Sequence, residues 1–119
     1  GDARVLLPKI PDESLSRLFL LYPDPWHKQR HKKRRFVNVE SIGQFHRMLK
    51  PGGVFRFASD IEDYVYWVVK NIDGHGGFKY AGKTISDWRQ APQDWHQTRY
   101  EQKAIREGRT PAYISFERI

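Results

Sequence analysis

The chain has 119 residues, 39% of them hydrophobic, with 21 Lys or Arg against 14 Asp or Glu and a formal net charge of +7. That length suits one domain with a modest core, and seven Phe, six Tyr and four Trp exclude a disordered chain despite a mean hydropathy of -0.76. No cysteine is present, which excludes disulfides, thiolate metal sites and a cysteine nucleophile; with no bilayer-length apolar run and no signal peptide, the expected compartment is the cytoplasm.

Gly1-Asp2-Ala3-Arg4 opens abruptly, as though sequence were missing upstream, and Val5-Leu6-Leu7 before Pro8 and Pro11-Asp12 reads as a short element ending in a turn. Residues 17–22 form the first strand. Leu18-Phe19-Leu20-Leu21-Tyr22 is apolar without alternation, the pattern of a strand buried on both faces of a parallel sheet. Asp24 then stands at the strand's carboxyl end, and Pro23 and Pro25 restrict the backbone around it. The residues from Lys28 to Arg35 carry six of the 21 basic side chains.

Asn38 is the expected N-cap of a helix whose apolar face is Val39, Ile42, Phe45 or His46, and Leu49. Lys50 ends it, Pro51-Gly52-Gly53 makes a turn, and a strand follows over Val54 to Ala58, closing on Ser59-Asp60. A second helix is expected from Ile61 to Asn71, with Glu62 and Asp63 in its acidic first turn and Tyr64, Val65, Val68 and Ile72 buried. Residues 73–77 read as a loop, 78–81 as a strand and 82–97 as an irregular connection. Thr98 and Glu101 form a candidate capping box for a helix that stops at Gly108, and the last strand is Ala112 to Glu117, with Ile114 and Phe116 facing inward. The opening βαβα order predicts an α/β fold with a parallel sheet, and the last two strands suit an antiparallel edge.

Ligands of such sheets bind at the carboxyl ends of the strands, where Asp24 and Asp60 fall. A fixed carboxylate beside a dense positive loop, in a chain of pI near 9.8, fits a site that grips a polyanion and acts locally upon it. An Asp between two prolines also serves as a plain turn residue, and a basic run is often only a solvated face. An anionic membrane would attract the same charge, but the run has no amphipathic apolar face of its own. His27 and His31 lack a third ligand at suitable spacing, so no metal is expected. Trp26 either stacks on a base or packs on the sheet edge.

Pro23-Asp24-Pro25-Trp26, Arg30-His31-Lys32-Lys33-Arg34-Arg35, Leu49-Lys50-Pro51-Gly52-Gly53, Ser59-Asp60 and Thr98-Arg99-Tyr100-Glu101 occur in this order. Together they resemble the bacterial tRNA (guanine-N7-)-methyltransferases over essentially the whole chain. The first, second and last are specific; the Leu-Lys-Pro-Gly-Gly segment alone marks methyltransferases generally. The resemblance implies an incomplete Rossmann-like methyltransferase sheet: the carboxyl-terminal half of a single domain, with strands four to seven and without strands one to three. It also implies S-adenosylmethionine as cofactor and tRNA as partner, the methyl group going to N7 of a guanosine in the variable loop. By resemblance, Asp24 contributes to catalysis and cofactor contact, and Asp2 of Asp2-Ala3 lies beside the cofactor's adenine. Lys28, Asp60, Thr98, Arg99, Tyr100 and Glu101 correspond to substrate-contacting positions. A helix N-cap is the competing role for Asp60, and the capping box competes at Thr98 and Glu101, leaving Arg99 as the better RNA contact. The chain departs from the family in having Ser59 where Thr is usual, and in lacking any G-x-G-x-G turn for the methionine part of the cofactor.

Guanine N7 carries a free lone pair, so its methylation needs no strong base. A carboxylate fixed near the ring can stabilise the positive charge that develops there, the role expected of Asp24. Arg30, His31, Lys32, Lys33, Arg34 and Arg35 are expected to track phosphates and orient the tRNA. Without the Gly-rich turn the isolated chain should transfer methyl groups poorly, and an unpaired Leu18 to Leu21 edge would be a hazard for aggregation or an invitation to dimerise, leaving monomer or homodimer as the expected states. The alternative from another class is a non-catalytic RNA-binding module built on the basic loop.

Overall fold

Leu15–Leu21 forms β1 and Leu49–Ser59 forms β2, and the two run parallel, with Leu18 opposite Phe55 and Leu20 opposite Phe57. The computed structural model describes residues 7–23, 30, 34–81, 99–109 and 111–119, and only the backbone of Tyr100, Glu101 and Ala104. Phe78–Tyr80 is β3 and Ala112–Arg118 is β4; the sheet order is β1-β2-β4-β3, with β4 antiparallel to both neighbours. The parallel start and antiparallel finish agree with the sequence. The last strand, however, inserts beside β2 and leaves β3 outermost, which suits its buried Ala112, Ile114 and Phe116.

Helix α1, Val39–Met48, starts where expected. Asn38 Oδ1 accepts from the Ser41 amide at 2.9 Å, and Ser41 Oγ accepts from the Asn38 amide at 2.9 Å, a reciprocal cap satisfying two otherwise orphaned donors. Instead of reaching Lys50, the chain leaves α1 at Met48 and enters β2 directly. Leu15 pairs with Leu49 and Arg17 with Val54, so residues 50–53 bulge out of the ladder. The glycines are required there: Gly52 has φ +80, and a Cβ on Gly53 would lie 2.8 Å from the Lys50 carbonyl oxygen.

Helix α2, Glu62–His75, buries Tyr64, Val65, Val68 and Ile72 as its periodicity predicts. It continues through the segment expected to be loop and closes at Gly76, whose φ of +77 provides the left-handed C-cap. Helix α3, Arg99–Arg106, ends near Gly108 as anticipated, while the Thr98 cap lies outside the described residues.

Both α1 and α2 pack on one face of the sheet. Ile42, Phe45 and Met48 from α1 meet Phe55 and Phe57 of β2, and Ile114 and Phe116 of β4 complete the layer. The Phe45 and Phe55 rings are 5.0 Å apart, and the Phe57 and Tyr64 rings 5.2 Å. β1 departs from the expectation of burial on both faces: Leu18 and Leu20 turn toward this core, but Phe19 is 49% exposed. An unbroken apolar run cannot say whether its second face is covered. Here Phe19 meets the Arg56 guanidinium, 5.5 Å from its ring centre.

At the end of the sheet where β2 begins and β4 finishes, His46 and His75 have ring centres 5.1 Å apart, and Arg118 Nε donates to His46 Nε2 at 3.3 Å. Burial, the Arg118 guanidinium and His75 hold the His46 pKa below its ordinary 6.5. The unfolded chain therefore takes up the proton first. Stability from neutral His46 is complete above about pH 6.5 and is lost as pH falls through that value toward the lower folded pKa. The melting temperature should decline over that interval, and His46→Gln should flatten the decline; an identical decline in the variant would refute the assignment.

Candidate functional site at the carboxyl ends of β1 and β2

The parallel register brings the exits of β1 and β2 together. Leu21 is level with Ala58, and the Tyr22 amide donates to the Ala58 carbonyl at 2.8 Å. Because β4 runs the other way, its first residue, Ala112, pairs with Ser59 at this same end. Three segments therefore converge: Tyr22-Pro23, Ser59-Asp60 and the approach to β4.

Tyr22 has φ 51, in the left-handed region that non-glycine residues avoid at a cost of roughly 1–2 kcal/mol. The departure falls immediately before Pro23-Asp24, so the backbone turns sharply as it leaves the strand.

On β2, Ser59 Oγ accepts from the Ile61 amide at 3.0 Å, shaping the turn into α2. Ile61 is the N-cap and makes no side-chain bond, so Asp60 is not a cap. Its carboxylate, only 2% exposed, is instead held by Arg109 Nη1 at 2.5 Å, while Arg109 Nη2 reaches Glu107 at 2.7 Å. Sequence reading missed Arg109. The signal was slight: a charged Glu107-Gly108-Arg109 turn between a helix stop and a strand. The pairing fixes Asp60 at the strand exit and commits one face of its carboxylate.

The basic run divides. Arg30 and Arg34 are exposed, as a phosphate-tracking role requires. Arg35 is fully buried, which corrects its place among the phosphate contacts. Its Nη2 bonds Asp63 Oδ2 at 2.6 Å, and its guanidinium carbon lies 4.8 Å from the Tyr64 ring centre and 5.1 Å from that of Trp67. Six basic residues read as one solvated unit, yet the last adjoins Phe36 and Val37, where the chain turns into the core. Asp63, Tyr64 and Trp67 on one face of α2 were the available hint.

Arg99 is exposed at the start of α3, with Tyr100 and Glu101 following it in the helix. Asp2, Asp24, Lys28, His31, Lys32, Lys33 and Thr98 lie outside the described residues. Among the described residues there is no group of three or more His, Cys, Asp or Glu able to hold a metal ion, and no helix long and apolar enough to cross a membrane.

Residues 1–113 match a family model described as "Putative methyltransferase". The chain belongs to this methyltransferase family. It is 54% identical over 118 residues to a tRNA (guanine-N(7)-)-methyltransferase of Roseobacter denitrificans, and 50% identical over 118 residues to one of Azorhizobium caulinodans. Each match takes in 99% of this chain but 50% and 51% of the relative, so the chain spans about half the length of the curated relatives it matches. Solved methyltransferases share its fold. A SAM-dependent methyltransferase from Archaeoglobus fulgidus superposes with a TM-score of 0.53 at 12% identity, covering 99% of this chain and 66% of that one. A structure described as a putative DNA modification methylase from Thermus thermophilus gives 0.58 at 17% identity, covering 99% and 50%. As a member of the methyltransferase family, the chain carries a partial Rossmann-like sheet, as the motifs led us to expect.

Proposed function

We propose that this chain is part of an S-adenosylmethionine-dependent tRNA (guanine-N7-)-methyltransferase acting on a guanosine of the tRNA variable loop in the cytoplasm. The observation that carries the reading is 54% identity to a relative of that name across 99% of the chain, on a fold whose Pro-Asp-Pro-Trp and Ser-Asp motifs leave adjacent parallel strands. Bound S-adenosylmethionine would supply the electrophilic methyl group on its sulfonium. The family resemblance assigns Asp2 and Asp24 to the cofactor, while Asp60 is held by Arg109. The convergence of strand exits fits such a ligand, because open α/β sheets bind there.

Asp24 stabilises the positive charge that builds on the guanine imidazole ring, and prolines on both sides of it in the sequence restrict its backbone. Lys28, Arg99 and the Thr98 to Glu101 segment orient the base and its ribose phosphate, and Asp60, its side chain buried and paired with Arg109, holds the strand exit beside them. Arg30, His31, Lys32, Lys33 and Arg34 grip the backbone, fixing register and leaving sequence unread. Absence of a G-x-G-x-G turn from these residues favours a second reading, an RNA-binding module without catalysis, for the chain in isolation.

Titrating tRNA binding against salt tests the interface. With about four phosphates neutralised, log K falls against log salt with a slope of roughly -3 to -4. A slope near zero would remove the RNA from the account. Methyl transfer is tested in a chimera in which this chain replaces the matching half of the Roseobacter denitrificans relative. Transfer by the chimera but not by the isolated chain is expected, and an inactive chimera that still binds tRNA would favour the second reading.

A further inference from the structure

The contacts around Arg35 extend beyond its own side chain. Tyr64 and Trp67, whose rings flank its guanidinium, also hold the next stretch of backbone. The Val37 amide donates to the Tyr64 hydroxyl at 3.3 Å, and Trp67 Nε1 donates to the Val37 carbonyl at 2.7 Å. Asn38 Nδ2 donates to the Arg35 carbonyl at 3.1 Å, tying the same segment to the cap of α1. The downstream root of the basic loop is thus clamped along one face of α2. That helix begins at Glu62, immediately after Ser59-Asp60 and Ile61 leave β2.

We propose that Arg35 and Asp63 form a latch that positions the phosphate-gripping loop relative to the Asp60 strand exit. The inference rests on the tRNA reading above and assigns a positioning role to two residues that do not touch the RNA. A fully buried guanidinium is costly to desolvate, and an apolar residue would fill the slot more simply. Arginine adds direction: its planar fork bonds Asp63 on one side and stacks on two aromatic rings, fixing the orientation of the chain that enters and leaves it. Arg30 and Arg34 then present their charges at a set distance from the base-binding end of the sheet. Without the latch the loop keeps its charge but loses its bearing.

Asp63 offers a test in which charge and position have opposite signs. Its side chain is 57% exposed, and Asp63→Asn removes a negative charge from an already basic protein. Bulk electrostatics alone would then tighten tRNA binding. The latch predicts binding weaker by about fivefold and a shallower salt slope, because fewer phosphates are engaged together. Asp63→Glu, which keeps the carboxylate, should recover most of the affinity. Thermal melting of each variant separates this from unfolding. Tryptic cleavage after Arg34 without RNA gives an independent readout, faster in Asp63→Asn and near the original rate in Asp63→Glu. Equal or tighter binding by Asp63→Asn at an unchanged slope would overturn the latch. Should the unsubstituted chain bind no tRNA, the functional reading fails, and cleavage after Arg34 still decides the latch: faster supports it, unchanged refutes it.

Discussion

Replacing Asp24 with alanine in the full-length chimera is expected to lower methyl transfer by roughly 100- to 1000-fold while changing tRNA affinity by less than about threefold. The separation follows from the chemistry. Guanine N7 is already nucleophilic, so the barrier lies in bringing the methyl group into line and in accommodating the charge that appears on the ring. On the proposed reading, the carboxylate between Pro23 and Pro25 acts on that charge only as it develops, so its loss should fall on kcat. The proposed phosphate contacts from the basic run would act on ground state and transition state alike, so their loss should fall on KM. Asp24→Asn distinguishes this from a turn-forming role. Asparagine makes the same turn, so a structural residue would tolerate it, whereas the account expects a defect close to that of alanine. Full activity in Asp24→Asn would show that the charge is dispensable.

Phe57→Ala should destabilise the fold by about 3–5 kcal/mol, a large share of the stability of a domain this size. Phe57 is 1% exposed on the central strand β2, opposite Leu20 on one side and Ile114 on the other. Its ring also packs against Tyr64, whose hydroxyl accepts from the Val37 amide. Removing the ring opens a cavity between β2 and α2 that these neighbours cannot close without disturbing the root of the basic loop. Urea denaturation measures the loss directly, as a lower midpoint at unchanged slope. Phe57→Leu, nearer in volume, should cost below about 1.5 kcal/mol. A loss under about 1 kcal/mol for the alanine variant, by the same scale, would mean that Phe57 does not anchor the layer.

What could be read in advance was local. Asn38 announced α1 because a cap needs only its own side chain and the next turn. Tyr64, Val65, Val68 and Ile72 announced the buried face of α2, and Ile114 and Phe116 the inward side of β4, because each pattern repeats within its own element. What escaped depended on partners distant in sequence. Asp60 meets Arg109, and Arg35 meets Asp63, Tyr64 and Trp67; nothing within either neighbourhood specifies the encounter. The exposed flank of Phe19 likewise depends on what lies across the sheet and not on the run of apolar letters. The bulge at residues 50–53 is visible as Pro51-Gly52-Gly53 but reads as a turn, since a bulge and a turn draw on the same residues. At the candidate site, the exits of β1 and β2 and the place of Asp60 at one of them were legible, while the Arg109 pair that holds Asp60 was not.

The most direct test of the central claim is methyl transfer by the chimera to two otherwise identical tRNAs, one with guanosine and the other with 7-deazaguanosine in the variable loop. The deaza base keeps its Watson–Crick edge and shape but has a carbon where N7 carries its lone pair. The account predicts labelled methyl groups on the first tRNA, released by cleavage at N7-methylguanosine, and none on the second, with both bound equally well. Equal labelling of the two would contradict it.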